Sequence, residues 1–230
     1  GGTKPVFRLY PKGQLALGDS VNLSVIIGHN SGLKITPIGV PGNPPGRWNN
    51  SLGTNTLEDL TIGNDNNAFG TNALRRSIGS FHTIAIGTGS VSNATHVEDV
   101  VSIGTDNLIG VDSSSRLTAI GSYSQFKATR TIGNTSLGFA SIYGGTTGPW
   151  TGSYNTASGY QSANNITTSS SNTASGYAAL FSQTTGNSWG GNNTAVGSLS
   201  GYSTNNDYGL FLGNSAGFYS NEANAFYLHT

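Results

Sequence analysis

The chain has 230 residues, of which 34 are Gly and only 9% are Asp, Glu, Lys or Arg, ten acids balancing ten bases; ordinary soluble domains carry roughly 25% charged residues and ~7% glycine. A neutral chain has no basic field to gather nucleic acid, and one with no cysteine has neither disulfides nor thiolate metal sites. No run approaches the ~18 apolar residues of a membrane span, no signal peptide is present, and the chain has no methionine, so it reads as a processed piece of something longer.

Residues 1–50 are the least repetitive and read as an N-terminal attachment or capping region. Val6–Tyr10 and Leu23–Ile27 have the β-branched and aromatic content of strands. Pro41-Gly42-Asn43-Pro44-Pro45-Gly46 has to be a loop.

Residues 51–143 repeat one unit, a short alternating apolar stretch closed by glycine. Thr83-Ile84-Ala85-Ile86-Gly87 is its clearest copy. Alternation suits a short strand with one buried face, and the glycine suits a corner that a Cβ would block. Further copies end at Gly18, Gly28, Gly39, Gly53, Gly63, Gly70 and Gly79, and later at Gly133, Gly138, Gly197 and Gly213. Gly87, Gly104 and Gly121 are spaced 17 apart, while elsewhere the step falls to about 8 to 12. A repeat of this length predicts a solenoid, one coil per unit, with little or no helix. Counting every unit gives about fourteen coils, a rod of roughly 70 Å at ~4.8 Å per coil. Glu58-Asp59, Arg75-Arg76 and Glu98-Asp99 are expected between strands as solvated charges.

Residues 144–230 form a second repeat region, and the run 131–206, which overlaps it, includes no Asp, Glu, Lys, Arg or His. Asn155-Thr156-Ala157-Ser158-Gly159-Tyr160 recurs as Asn172-Thr173-Ala174-Ser175-Gly176-Tyr177, then as Asn193-Thr194-Ala195-Val196-Gly197. Asn224-Ala225-Phe226-Tyr227-Leu228 closes the series.

Two resemblances follow from these motifs. Ala85–Ser92, with Val101-Ser102-Ile103-Gly104 and Thr118-Ala119-Ile120-Gly121, resembles the head repeat of trimeric autotransporter adhesins, across about residues 60–138. That resemblance implies a left-handed parallel β-roll built by three chains. The 155–228 motifs resemble repeats of phage fibre proteins that precede a self-cleaving intramolecular chaperone. Such a chaperone trimerises the shaft and is then removed, and an end at Thr230 suits such a cut. The two together imply an all-β, intertwined parallel homotrimer: a virion fibre, tail or head, that attaches a phage to a host-surface glycan. Its N-terminal region is expected to hold other virion proteins, with no membrane insertion. The alternatives are the head of a bacterial trimeric surface adhesin, a polysaccharide-degrading tailspike, and a spacer with no receptor site. A short coil has little interior, so the Ile, Leu and Val before each Gly are expected to meet those of two other chains in core layers.

The chemistry-bearing residues point to binding rather than catalysis, and no catalytic residue, metal or cofactor is assigned. Gly213-Asn214-Ser215-Ala216-Gly217 matches the G-x-S-x-G nucleophile elbow, but that motif needs a strand, a turn and a helix. Asp207 precedes Ser215, and His229 is almost terminal. Glycosidase chemistry needs two carboxylates at roughly 5–10 Å, for which Asp59, Asp65, Glu98, Asp99, Asp106 and Asp112 are the candidates, with Asp207 and Glu222 isolated. His82 and His96 are the histidines that a threefold axis would have to gather. Aromatic rings among Asn, Ser and Thr suit the apolar faces and hydroxyl edges of sugars without any charge. Trp150, Tyr154, Trp189, Tyr202 and Tyr208 are therefore the glycan-binding candidates, with the loop Tyr143–Trp150 foremost. Tyr160 and Tyr177 sit at equivalent places and are expected to stack as a structural ladder.

Overall fold

The computed structural model describes residues 6–9, 15–18, 24–32, 46–144, 151–166, 168–181, 191–204, 207–220 and 222–229. Among these there is no helix. Strands β1 (Val6–Leu9) and β2 (Leu15–Gly18) form an antiparallel hairpin. Leu17-Gly18 is thus part of a hairpin and not of a coil. All later strands belong to one parallel sheet of twelve, in sequence order. They are β3 (Val25–Ile27), β4 (Asn50–Leu52), β5 (Asn67–Phe69), β6 (Gly79–Ile86), β7 (His96–Ile103) and β8 (Ser114–Ile120). They continue as β9 (Thr135–Leu137), β10 (Thr156–Ser158), β11 (Thr173–Ser175), β12 (Thr194–Val196), β13 (Leu210–Leu212) and β14 (Phe226–Leu228). The ladder passes from β9 to β10 without a break, with Ala157 opposite Ser136, so both repeat regions share one sheet.

Each coil contributes one strand, and backbone bonds join neighbouring coils on every side. Gly104 N–H donates to Ile86 O at 2.8 Å, Asp106 N–H to Thr88 O at 2.9 Å, and Thr95 N–H to Val111 O at 3.0 Å. This accounts for the backbone polar groups that a chain so poor in helix must satisfy. Twelve strands at ~4.8 Å give a rod of roughly 50 Å, shorter than a count of every glycine unit suggests. The reason is that some units lie on a second side of the same coil. Ile62 bridges to Gly79, and Ile132 to Ser115, away from the main strand column.

The glycines closing the main strands stack directly on one another. A Cβ on Gly87 would stand 2.3 Å from Gly104 O, and one on Gly104 2.4 Å from Gly121 O. Their φ values of +120° and +137° are also closed to side-chain-bearing residues.

The interior is narrow. Strand centres carry Ala68, Ala85, Ser102, Ala119, Ser136, Ala157, Ala174 and Ala195, all buried. Facing them is a column of larger buried residues, including Leu57, Leu74, Val91, Leu108 and Ile142. Buried asparagines line a third column. Asn172 Nδ2 donates to Asn155 Oδ1 at 3.1 Å, and Asn193 Nδ2 to Asn172 Oδ1 at 3.2 Å. The same oxygens accept the backbone N–H of the next coil, which keeps the corner hydrogen-bonded inside the core. Gln125 takes one place in the Leu column, with Nε2 donating to Thr118 O at 2.8 Å and to Ser136 Oγ at 3.0 Å.

One coil exchanges large for small. Phe211 occupies a strand centre opposite Ala195 and is fully buried. The Leu column compensates with Gly201 and Gly217, where a Cβ would lie 3.1 Å and 2.3 Å from the Phe211 ring. Close packing of this kind leaves no slack for a void. Phe211→Ala is expected to cost about 3–5 kcal/mol in denaturant unfolding. A loss under ~1 kcal/mol would show that the coil collapses around the site.

The residue before each corner glycine points outward, not into the coil. Ile27, Leu52, Phe69, Ile86, Ile103, Ile120 and Leu137 are between 37% and 50% exposed and form an unbroken apolar ridge along one face. Serines replace it at Ser158 and Ser175, and it resumes at Val196. Within one chain the core is made by the smaller residue between the outward pair.

Candidate functional site

The described aromatic candidates do not converge. Tyr154 and Tyr208 stand at equivalent corner positions, each with φ +58° and about three-fifths exposed, but Ser171 and Asn192 occupy that corner on the coils between them. Tyr202 lies on another side, stacked between Phe181 and Phe218 at 5.1 and 4.7 Å. Trp150, Trp189 and most of the Tyr143–Trp150 loop are outside the described residues. Tyr160 and Tyr177 do form a ladder, with centroids 5.7 Å apart and planes 9° from parallel. Phe139 extends it by one rung at 5.3 Å from Tyr160.

A second ladder, which repeat reading had not picked out, begins with Phe126 and Tyr143, stacked at 5.3 Å and 8°. It resumes at Phe181, and the coil between carries Asn164 in that place. Between the two ladders lies a groove of about 420 Å³, walled by Tyr123, Phe139 and Tyr143 on the aromatic side and by Gln161, Asn164 and Asn165 on the amide side. Its floor is Ala140, a small residue at a left-handed corner (φ +50°) between the larger Tyr123 and Gln161 on the adjacent coils. Tyr123 meets Phe139 edge-on at 5.8 Å and 75°. Asn164 is 5% exposed and donates from Nδ2 to Ala140 O at 3.1 Å. Among the described residues, no Asp, Glu, Lys, Arg or His lines the groove. The sequence signal for it was the 17- to 21-residue alignment of Phe126, Tyr143, Asn164 and Phe181, visible only once the coil length was known to vary.

Most charged residues lie on earlier coils, with Asp207 and Glu222 beyond the groove. Arg75 Nε donates to Glu58 Oε2 at 2.7 Å across one turn, both partly exposed. His82 stands between Asp99 at 3.1 Å and Asp65 at 3.8 Å, on an exposed corner away from the apolar ridge. Glu98 and Asp99 fall inside β7 rather than between strands. The Asp112 carboxyl is held below its usual range by hydrogen bonds from Thr95 and Ser113. Among the described residues no group of three His, Cys, Asp or Glu side chains could hold a metal ion. None of the described helix is long and apolar enough to cross a membrane, since there is none.

Gly213–Gly217 is a coil corner and turn after β13. The described segment that follows is turn and strand β14, so the helix a nucleophile elbow needs is missing there. Ser215 has φ +56°, and its Oγ donates to Asn214 Oδ1 at 3.0 Å.

Compared with protein-family models, with curated proteins and with solved structures, the chain matches none of them.

Proposed function

We propose that this chain is one of three identical subunits of an extracellular attachment fibre, a virion fibre of phage type. The observation that carries the reading is the apolar ridge. Singly exposed apolar residues need no explanation, but a continuous row on a flat sheet marks a contact surface. The ridge runs parallel to the rod, and its residues recur once per coil. Three copies placed about a common line can therefore bring equivalent residues together layer by layer, under closed symmetry. Neutral composition removes the repulsion that would oppose three like chains side by side. In this reading residues 1–50 hold other virion proteins, and the rod presents the aromatic half to a host-surface glycan. Three equivalent weak sites would then act through avidity.

The test is mass in solution. Sedimentation or light scattering is expected to give three times the 23.7 kDa chain mass under native conditions and one chain mass after denaturation. A monodisperse single chain at micromolar concentration would overturn the fibre reading.

A further inference from the structure

We infer that the groove between the two aromatic ladders is a binding site for a neutral pyranose sugar, which occupies the place of a missing rung. This rests on reading the chain as an attachment rod, and assigns that function a site to which, of the sequence candidates, only Tyr143 at the start of the Tyr143–Trp150 loop contributes.

The second ladder is periodic: rings at equivalent positions stack from coil to coil, as Phe126 on Tyr143 and Phe181 on Tyr202 do. At Asn164 the stack is broken. Tyr143 consequently has a ring on one face, Phe126, and among the described residues none on the other. A ring face that no described ring covers, beside the place where Asn164 interrupts the ladder, can accept a flat apolar body of about ring size. The gap is not simply apolar, however. Asn164 spends its Nδ2 on Ala140 O, and its Oδ1 has no hydrogen-bond partner among the described residues. The Gln161 carboxamide, half-buried beside it, likewise bonds no described residue. A carboxamide both donates and accepts, so the pair can meet hydroxyls of either polarity. A pyranose presents an apolar C–H face and a rim of hydroxyls, matching the open ring and the amides together. A purely apolar ligand would leave the amides unsatisfied, which is costly in a buried place. A charged ligand would find no counter-ion in the lining. The volume of about 420 Å³ falls in the range of small-ligand sites, ~300–1,000 Å³.

The experiment uses the full chain, wild type beside Asn164→Phe and Gln161→Ala. Asn164→Phe supplies the missing ring, and Gln161→Ala removes a rim amide at a half-buried position. Probes are immobilised neutral hexose and N-acetylhexosamine oligosaccharides, with sialylated and uronate-bearing ones alongside. Wild type is expected to bind members of the neutral set. Asn164→Phe should abolish that binding while the chain keeps its β-sheet spectrum and cooperative melting, with the Asn164 Nδ2 bond to Ala140 O lost, and Gln161→Ala should weaken it at least ~10-fold, which is about 1.4 kcal/mol. The site is overturned if no neutral probe binds, if only the acidic ones do, or if both folded variants bind like wild type. Native mass is measured on the same samples. A trimer that binds no neutral sugar refutes the groove and leaves the rod standing; a single chain that binds one refutes the rod and leaves the groove.

Discussion

The double variant Ile86→Asp with Ile103→Asp is expected to convert the proposed trimer into single chains that keep their β-sheet spectrum. Both side chains already point out of the coil, 38% and 37% exposed, so their loss opens no cavity inside one chain. The buried Leu57, Leu74, Val91 and Leu108 column and the inter-coil backbone bonds are untouched. Covering the exposed remainder of an isoleucine contributes about 1 kcal/mol per chain, so two layers of three contribute roughly 6 kcal/mol. Removing that alone weakens the trimer by about four orders of magnitude. Six carboxylates brought to one line add desolvation and like-charge repulsion, each several kcal/mol. Analytical ultracentrifugation over a concentration series reads the result. A double variant that still sediments as a trimer would show that the chains meet on some other surface.

The largest effect on the single chain should come from the glycine stack. Gly104→Ala forces a Cβ to 2.4 Å from Gly121 O and 2.7 Å from Gly121 C, both backbone atoms that cannot rotate away. The coil must open at that corner, or the strand must shift out of register. We expect a loss of at least ~4 kcal/mol, which at ~2–4 °C per kcal/mol lowers the melting temperature by roughly 10 °C. Gly110→Ala is the control. It also has positive φ, at +69°, but nothing lies within 4 Å of its Cβ. Its cost should be only the left-handed penalty, ~1–2 kcal/mol. Equal melting temperatures for the two variants would mean that conformational freedom, and not close approach of the backbones, keeps glycine at the corner.

The repeat itself was legible because side-chain size varies with the coil. Small residues return where coils stack closest, and apolar ones return at fixed offsets from them. The second half of strand β6 was legible, since Thr83-Ile84-Ala85-Ile86 alternates cleanly, while its first half, from Gly79, was read as the end of another unit. The coil count was less legible. Ile62-Gly63 and Ile132-Gly133 look like Ile86-Gly87 as dipeptides, yet they sit on a different side of the coil. A dipeptide carries no record of which side it occupies. The groove was hidden for a related reason. Its walls come from coils separated by 21 residues where neighbours are separated by 17, and an extra loop of a few residues defeats a fixed-period alignment.

By itself, the sequence determined that the chain is a β-solenoid: short alternating stretches closed again and again by glycine and the absence of any 3.6-residue pattern leave little else. Only the tertiary structure decided which way each side chain points. In Ile84-Ala85-Ile86 the alternation allows either the alanine or the isoleucines to face inward. The stacked corners at Gly87 and Gly104 draw the coil so tight that opposite the Leu column there is room for a small side chain, Ala85 or Ser102. Ala85 therefore goes in, the isoleucines go out, and the face that remains to be covered is fixed by that one steric choice.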